Sequence, residues 1–324
     1  MRKLNHWIRH SLTSVALLTG LGIIPKAWAA YPEQTIKLVV PFPAGGANDI
    51  VARLLAPPLS QQLRQSIVVE NKAGASGTIG SASVSKASPD GYTLVMAAVP
   101  LVITPTLMPN LSYRIDQDFT PISLLSTTPF LLAVNPKVPA NTVQELIDLA
   151  RSNPDQITYS SPGTGSPAHL AAALIAEKAQ VKMTHVPYKG GAPAIVDVVA
   201  GHVSFTLATP AELLSFAQQG QLRILGATTA QRISFLPDIP TLQEQGLKDY
   251  EISVWYGLMG PAGLSVQTVK TLQQGIRNAL RDSDLAAQLK NQGMQAEGPD
   301  SGDFREFLAA ERRKWDALAR QATS

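Results

Sequence analysis

Two glycine-rich turns, each set between a β-type run and a helix start, constrain this chain more than any other feature. The first, Pro41-Phe42-Pro43-Ala44-Gly45-Gly46-Ala47-Asn48-Asp49, follows the apolar run Ile36–Val40. The second, Ser160-Ser161-Pro162-Gly163-Thr164-Gly165-Ser166-Pro167-Ala168-His169, follows Ile157-Thr158-Tyr159. A strand that turns tightly into a helix leaves the first backbone N–H groups of that helix without partners, and the helix dipole adds partial positive charge at the same end. Each turn is therefore a ready-made anion site. Two such turns, well separated in sequence, point to two jaws closing on one carboxylate-bearing molecule.

Around these turns, β-type and helical runs alternate. Ile67–Glu70, Tyr92–Ala97, Thr184–Pro187, Val203–Ala208 and Leu222–Ala227 read as strands. Thr78–Lys86, Pro167–Ala179, Pro193–Ala200 and Ala211–Gln218 read as helices, and Thr142 with Glu145 forms a capping box that opens another helix to Arg151. Two or three further helices complete the chain. This alternation predicts an α/β fold with a mostly parallel sheet in each domain, and ligands bind such sheets beyond the carboxyl ends of the strands. Pro57-Pro58 predicts a break in the first helix after Leu55.

A leader is expected over residues 1–29: Arg2, Lys3 and Arg9 precede an uncharged apolar stretch from Ser11 to Ile24, and Ala27-Trp28-Ala29 suits cleavage near Ala29. The remaining chain, about 295 residues, exceeds what one core usually serves and predicts two domains. The run Pro121–Val134 reads as a strand passing from one domain to the other, with Glu251–Leu258 as the return. Domain one is then residues 30–130 with 250–324, and domain two is 131–249. Two crossing strands make a hinge rather than a flexible linker. Removing Arg2, Lys3, Arg9 and Lys26 from the 27 basic residues leaves 23 against 24 acidic ones, so the formal charge moves from +3 to −1. That balance argues against a nucleic-acid partner. The sequence has no cysteine, which excludes disulfides, thiolate metal sites, thiol catalysis and a lipidated cysteine anchor.

The turns carry competing readings. Gly163-Thr164-Gly165-Ser166-Pro167-Ala168 fits G-x-G-x-x-A, a dinucleotide fingerprint, but Lys182, Met183, Thr184 and His185 supply no ribose-binding acid on the next strand. Ser166 and His169 lie on one helix face as a possible catalytic pair, yet Gly74-Ala75-Ser76-Gly77-Thr78 fails the nucleophile-elbow pattern. His169, His185 and His202 have no metal-ligand spacing, so no metal and no cofactor is expected. Asn48 is the candidate N-cap of the first helix, with Asp49 in its first turn, either favouring the helix start, orienting the turn or contacting a ligand. Neither turn contains Lys or Arg, so neutral dipoles must hold a bound charge. Phe42, Ala44, Pro162 and Tyr188 point to a partly apolar pocket.

The chain resembles the substrate-binding proteins of tripartite tricarboxylate transporters, often called Bug proteins, from about Tyr31 to the C-terminus. The likeness rests on Gly45-Gly46-Ala47-Asn48-Asp49-Ile50-Val51-Ala52-Arg53, on Val69-Glu70-Asn71 with Gly74, Gly77 and Gly80, and on Lys86-Ala87-Ser88-Pro89-Asp90-Gly91-Tyr92-Thr93-Leu94. It continues through His185-Val186-Pro187-Tyr188-Lys189-Gly190, Ala192-Pro193-Ala194, Leu236-Pro237-Asp238-Ile239-Pro240-Thr241 and Trp255–Gly263. Gly201-His202-Val203-Ser204 departs from the family's usual GGxVD by lacking the acid. The resemblance implies a periplasmic-binding-protein-like fold whose two domains close on a small organic carboxylate. It implies a periplasmic, non-enzymatic protein that serves membrane transport subunits or, alternatively, a sensor protein. The other class to weigh is an exported hydrolase or nucleotide-dependent enzyme using the same cleft. The implied ligand-binding set is Ala44, Gly45, Gly46 and Asp49 on one jaw and Ser161, Thr164, Gly165 and Ser166 on the other. His169, Tyr188 and Thr209 lie nearby, and Phe42 and Asn48 join from the first turn.

Overall fold

The computed structural model describes residues 31–108, 110–298 and 301–323; the expected leader lies outside them. In chain order, the first part of the chain forms β1 (Ile36–Val40), α1 (Ala47–Leu63), β2 (Ile67–Asn71), α2 (Thr78–Ser85), β3 (Thr93–Ala98), α3 (Pro100–Leu107), α4 (Ile115–Asp118) and β4 (Phe119–Pro129). Next come β5 (Leu131–Val134), α5 (Val143–Ser152), β6 (Thr158–Ser161), α6 (Pro167–Ala179), β7 (Thr184–Pro187), α7 (Gly191–Ala200), β8 (Phe205–Ala208), α8 (Pro210–Gln218) and β9 (Arg223–Ala227). The chain then forms β10 (Ser253–Pro261), α9 (Val266–Leu280), α10 (Ser283–Asn291), β11 (Gln295–Ala296) and α11 (Ser301–Thr323). Among the described residues no helix is long and apolar enough to cross a membrane.

Two domains result, each built on one sheet. The first sheet has the order β11-β4-β10-β3-β1-β2 and the second β7-β6-β8-β5-β9. Period-two alternation splits the first sheet's side chains between two layers. Ile36, Leu38 and Val40 meet α1 and α9 on one face, while Val39, Val95 and Ala97 face the other layer. In the second domain Leu132 and Val134 pack on the side of α5 and α6, and Leu131 and Ala133 on the side of α7 and α8.

The sheets are mixed rather than mostly parallel. β1, β2 and β3 run parallel, as do β6, β7 and β8. β4, β10 and β11 add antiparallel pairs to the first sheet, and β5 and β9 to the second. The cause is the double crossing: a strand that leaves one domain and a strand that returns must run in opposite directions. β4 passes into β5 at Phe130, and β10 returns after Ile252. Thr228, fully buried, ties the two crossings together. Its Oγ1 accepts from Phe130 N at 2.9 Å and donates to Ile252 O at 2.6 Å.

α1 also departs from expectation, running unbroken through Pro57 and Pro58. The two prolines leave the carbonyls of Arg53 and Leu54 without helix partners. Pro57 is exposed and Pro58 half-buried, so those carbonyls lie away from the core. Leu55, Ala56, Leu59 and Leu63 meanwhile bury the opposite stripe, and that packing holds the helix across the lost bonds.

Candidate functional site

All six parallel strands point their carboxyl ends at one interdomain cleft. From the first domain, the turns after β1, β2 and β3 bring Phe42, Ser76 and Pro100 to its wall; from the second, the turn after β6 brings Pro162 to Pro167. Together with Ile103, Thr104 and Leu107 of α3 and with Met108 just after it, they enclose a compartment of 430 Å³. A second compartment of 190 Å³ shares Pro162 and Pro167 as a wall. It is lined by the opening residues of α1 (Ala47), α6 (Pro167), α7 (Gly191) and the cap of α8 (Thr209), with Glu212 and Tyr256. Among the described residues no Lys or Arg lines either compartment, and Glu212 is the only carboxylate. The anion-favouring field of the cleft therefore comes from helix N-termini and hydroxyls.

The turn before α1 is wired by one carboxylate. Asp49 is buried; its Oδ2 accepts from Gly45 N at 2.9 Å and from Arg53 Nε at 2.8 Å, and its Oδ1 accepts from Asn71 Nδ2 at 2.9 Å. Asn71 Nδ2 also donates to Phe42 O at 3.1 Å, so both ends of the turn hang on the same pair. Burial by itself would raise the Asp49 carboxyl, but the bonds from Arg53, Gly45 and Asn71 outweigh it and hold it below the ordinary carboxylate range. Gly45 carries φ +82°, which only glycine adopts without strain. The helix cap is Gly46 rather than the expected Asn48. Glycine offers no side chain to the helix, so its leading N–H groups remain open to a ligand. Asn48 sits inside the first turn, and its buried Oδ1 has no partner among the described residues.

The turn before α6 is wired by neutral groups. Ser166 caps the helix, its Oγ accepting from His169 N at 3.3 Å. Gly165 N donates to His169 Nδ1 at 3.1 Å, which assigns the imidazole proton to Nε2. Ser161 Oγ donates to Gly163 O at 3.1 Å, accepts from Gly163 N at 3.2 Å and contacts His185 Nε2 at 2.7 Å. Its bonding capacity is thus spent on the loop and on His185 of β7. The rings of His169 and His185 stack with centroids 3.9 Å apart, and Tyr159 lies against His185 at 5.0 Å. Burial, reinforced by His169, pushes His185 down to about 4, and burial lowers His169 as well.

Of the residues singled out from sequence, Phe42, Thr164, Gly165 and Ser166 line the larger compartment and Thr209 the smaller. Ala44, Gly45 and Gly46 lie exposed beside Ala47. Asp49, Ser161 and His169 stand behind the two turns and shape them. Tyr188 is turned onto Asp197 of α7, to which its hydroxyl donates; partial burial and this bond push it up to about 12. Thr209 N and Oγ1 both donate to Glu212 Oε2, at 3.0 and 2.7 Å. Sequence reasoning missed α3, whose Ile103, Thr104 and Leu107 form one wall. The signal was present: Pro100 follows the end of β3, a third strand-to-helix turn at the same sheet edge.

Fold and cleft together are those of a two-domain binding protein with an open compartment between its domains. The family TctC, the tripartite tricarboxylate transporter family receptor, matches residues 51–323. The chain belongs to this family. It is 35% identical over 312 residues, 96% of this chain and 93% of the relative, to a UPF0065 protein in the tcbD-tcbE intergenic region of Pseudomonas sp. strain P51. It is 31% identical to protein BugT of Bordetella pertussis, over 96% of this chain and 98% of that protein. Among solved structures, R. palustris Rpa4515 with adipate is similar at TM-score 0.81 and 32% identity, covering 90% of this chain and 98% of that one. MatC from Rhodopseudomonas palustris with bound malate gives 0.77 and 30%, covering 89% and 100%.

Proposed function

We propose that this protein is an exported, non-enzymatic receptor that captures a small organic carboxylate between its domains and delivers it to the membrane subunits of a tripartite tricarboxylate-type transporter. The observation that carries this reading is the cleft itself: six strand ends and the openings of several helices converge on it, with no cationic side chain among the described residues of its lining. The adipate and malate bound by the two similar structures support the carboxylate class. In this reading domain one is residues 30–130 with 250–324, domain two is 131–249, and the leader is cleaved near Ala29 to release the protein to the periplasm.

Thr164 and Ser166 hold the carboxylate with their hydroxyls, assisted by the Thr164 and Ala168 N–H groups and by the open end of α1. Closure about the crossings at Phe130 and Ile252 brings the turn before α1 down on the bound acid and removes water from it. Each charge-assisted hydrogen bond formed there contributes roughly 1.5–3 kcal/mol. The apolar side chains of Phe42, Ile103 and Leu107 receive the carbon body of the ligand.

The test is calorimetry on refolded, ligand-stripped protein against adipate, malate, aromatic acids, acidic amino acids, NAD and ATP. One carboxylate class should bind, and the Thr164→Ala/Ser166→Ala double variant should lose at least about tenfold in affinity while staying folded, its stability lowered only by the roughly 1 kcal/mol of the lost Ser166 cap. Unaltered affinity in that variant sinks the site assignment. A response to NAD or ATP with none to any carboxylate favours the enzyme reading instead.

A further inference from the structure

A cavity of 550 Å³ lies outside the cleft, between α3, α4, the first sheet and α11. It shares α3 with the cleft: Val102 faces this cavity, whereas Ile103 and Thr104 face the other. Its floor is apolar and deeply buried, formed by Val102, Phe119, Met259 and Leu308. Its volume falls within the range of small-molecule sites, about 300–1,000 Å³. Charge is confined to the mouth.

The charges at the mouth divide into a spent set and a free set. Arg312 lies 3.7 Å from Asp116 and 3.9 Å from Asp316, and Asp316 also accepts from the Thr106 hydroxyl of α3. With one guanidinium against two carboxylates, this set keeps a net charge of −1 and pins α11 to α3 and α4. Arg305 and Arg313 are exposed, line the same mouth, and have no acceptor among the described residues. Guanidinium is weakly hydrated and pairs in a planar fork with carboxylate, phosphate or sulfonate. Two such groups above a dry, apolar well complement a molecule with an apolar body and one anionic head. The well offers no polar partner to the far end of a short dicarboxylate.

We propose that this cavity is a second ligand site, separate from the interdomain cleft, for an amphipathic anion. Its apolar body rests on Val102, Phe119, Met259 and Leu308, and its head lies between Arg305 and Arg313. The probe is 1-anilinonaphthalene-8-sulfonate, whose apolar rings carry one sulfonate and whose fluorescence rises on leaving water. It should bind the folded protein saturably and be displaced by decanoate but not by decanol. Arg305→Gln/Arg313→Gln should raise its Kd about tenfold. Ala309→Trp fills the well from an exposed helix position and should remove the signal, with the thermal midpoint of each variant reporting that the fold is retained. Binding should persist in Thr164→Ala/Ser166→Ala; its loss there would put the probe in the cleft and overturn the proposal. Wild-type affinity in Arg305→Gln/Arg313→Gln, or displacement by decanol as readily as by decanoate, would overturn it equally.

Discussion

The turn before α1 is held by charge: a buried carboxylate, Asp49, gathers Gly45, Arg53 and Asn71 around itself. The turn before α6 is held by neutral groups, with His169 accepting from Gly165 and His185 bonded to Ser161. Both present helix N-termini to the same cleft, so the difference lies in the support. A carboxylate beneath the first turn can coexist with a bound anion because its charge is already matched by Arg53 and by N–H donors. Protonation of His169 beneath the second turn would remove the acceptor of the Gly165 N–H, so that turn depends on an imidazole kept neutral by burial.

The largest effect should come from Asp49→Ala. It strands Gly45 N, Asn71 and Arg53 at once, and urea unfolding should show a loss of about 3 kcal/mol. A loss below about 1 kcal/mol would mean that the first turn does not depend on its carboxylate.

Acidification should separate the two turns. A histidine with a lowered folded-state pKa leaves the unfolded chain holding more protons, so stability falls as pH drops between the two values. For His185 that window runs from the ordinary 6.5 down to about 4. The expected loss is about 1–3 kcal/mol across it. Asp49 shifts the other way: its contribution is present above 3.8 and is lost only below that, as pH falls through its lowered folded-state value. Amide exchange, corrected for intrinsic rates, should therefore show Gly165, whose acceptor His169 is also lowered from 6.5, losing protection as pH falls below that value, while Gly45 keeps it down to 3.8. Simultaneous loss at both amides would erase the distinction.

Ser166→Ala removes only a cap and should cost about 1 kcal/mol in thermal unfolding. Gly165→Val sharpens the comparison from the ligand side. Gly165 has φ +77°, and a Cβ there would come within 2.6 Å of Leu107 Cδ1 across the cleft. The substitution should obstruct closure and lower carboxylate affinity, read by calorimetry. Wild-type affinity would show that the turn and α3 need not approach each other.

Local chemistry made much of this readable. α6 has the bounds expected from sequence because Ser166 caps it, Pro167 opens it, and Gln180 in the left-handed region ends it. Gly201 likewise closes α7 in the left-handed conformation. α3 escaped notice because Pro105 and the run of β-branched residues disguise an eight-residue helix held in place by its neighbours. Glu212 and Tyr256 reach the cleft from a helix-capping box and from the Trp255–Gly263 stretch, neither of which signals a cleft position by itself.

The sequence by itself determined the strand-to-helix turns, their lack of cationic side chains and the alternation that makes an α/β fold, because each follows from neighbouring residues. Only the tertiary structure decided the mixed sheets, the unbroken α1, the burial that keeps His169 and His185 neutral, and the choice of Asp49 as the brace of its turn. Those outcomes depend on which distant segments share a core: two strands crossing in opposite directions, a packed stripe outweighing two prolines, and water excluded from around two imidazoles.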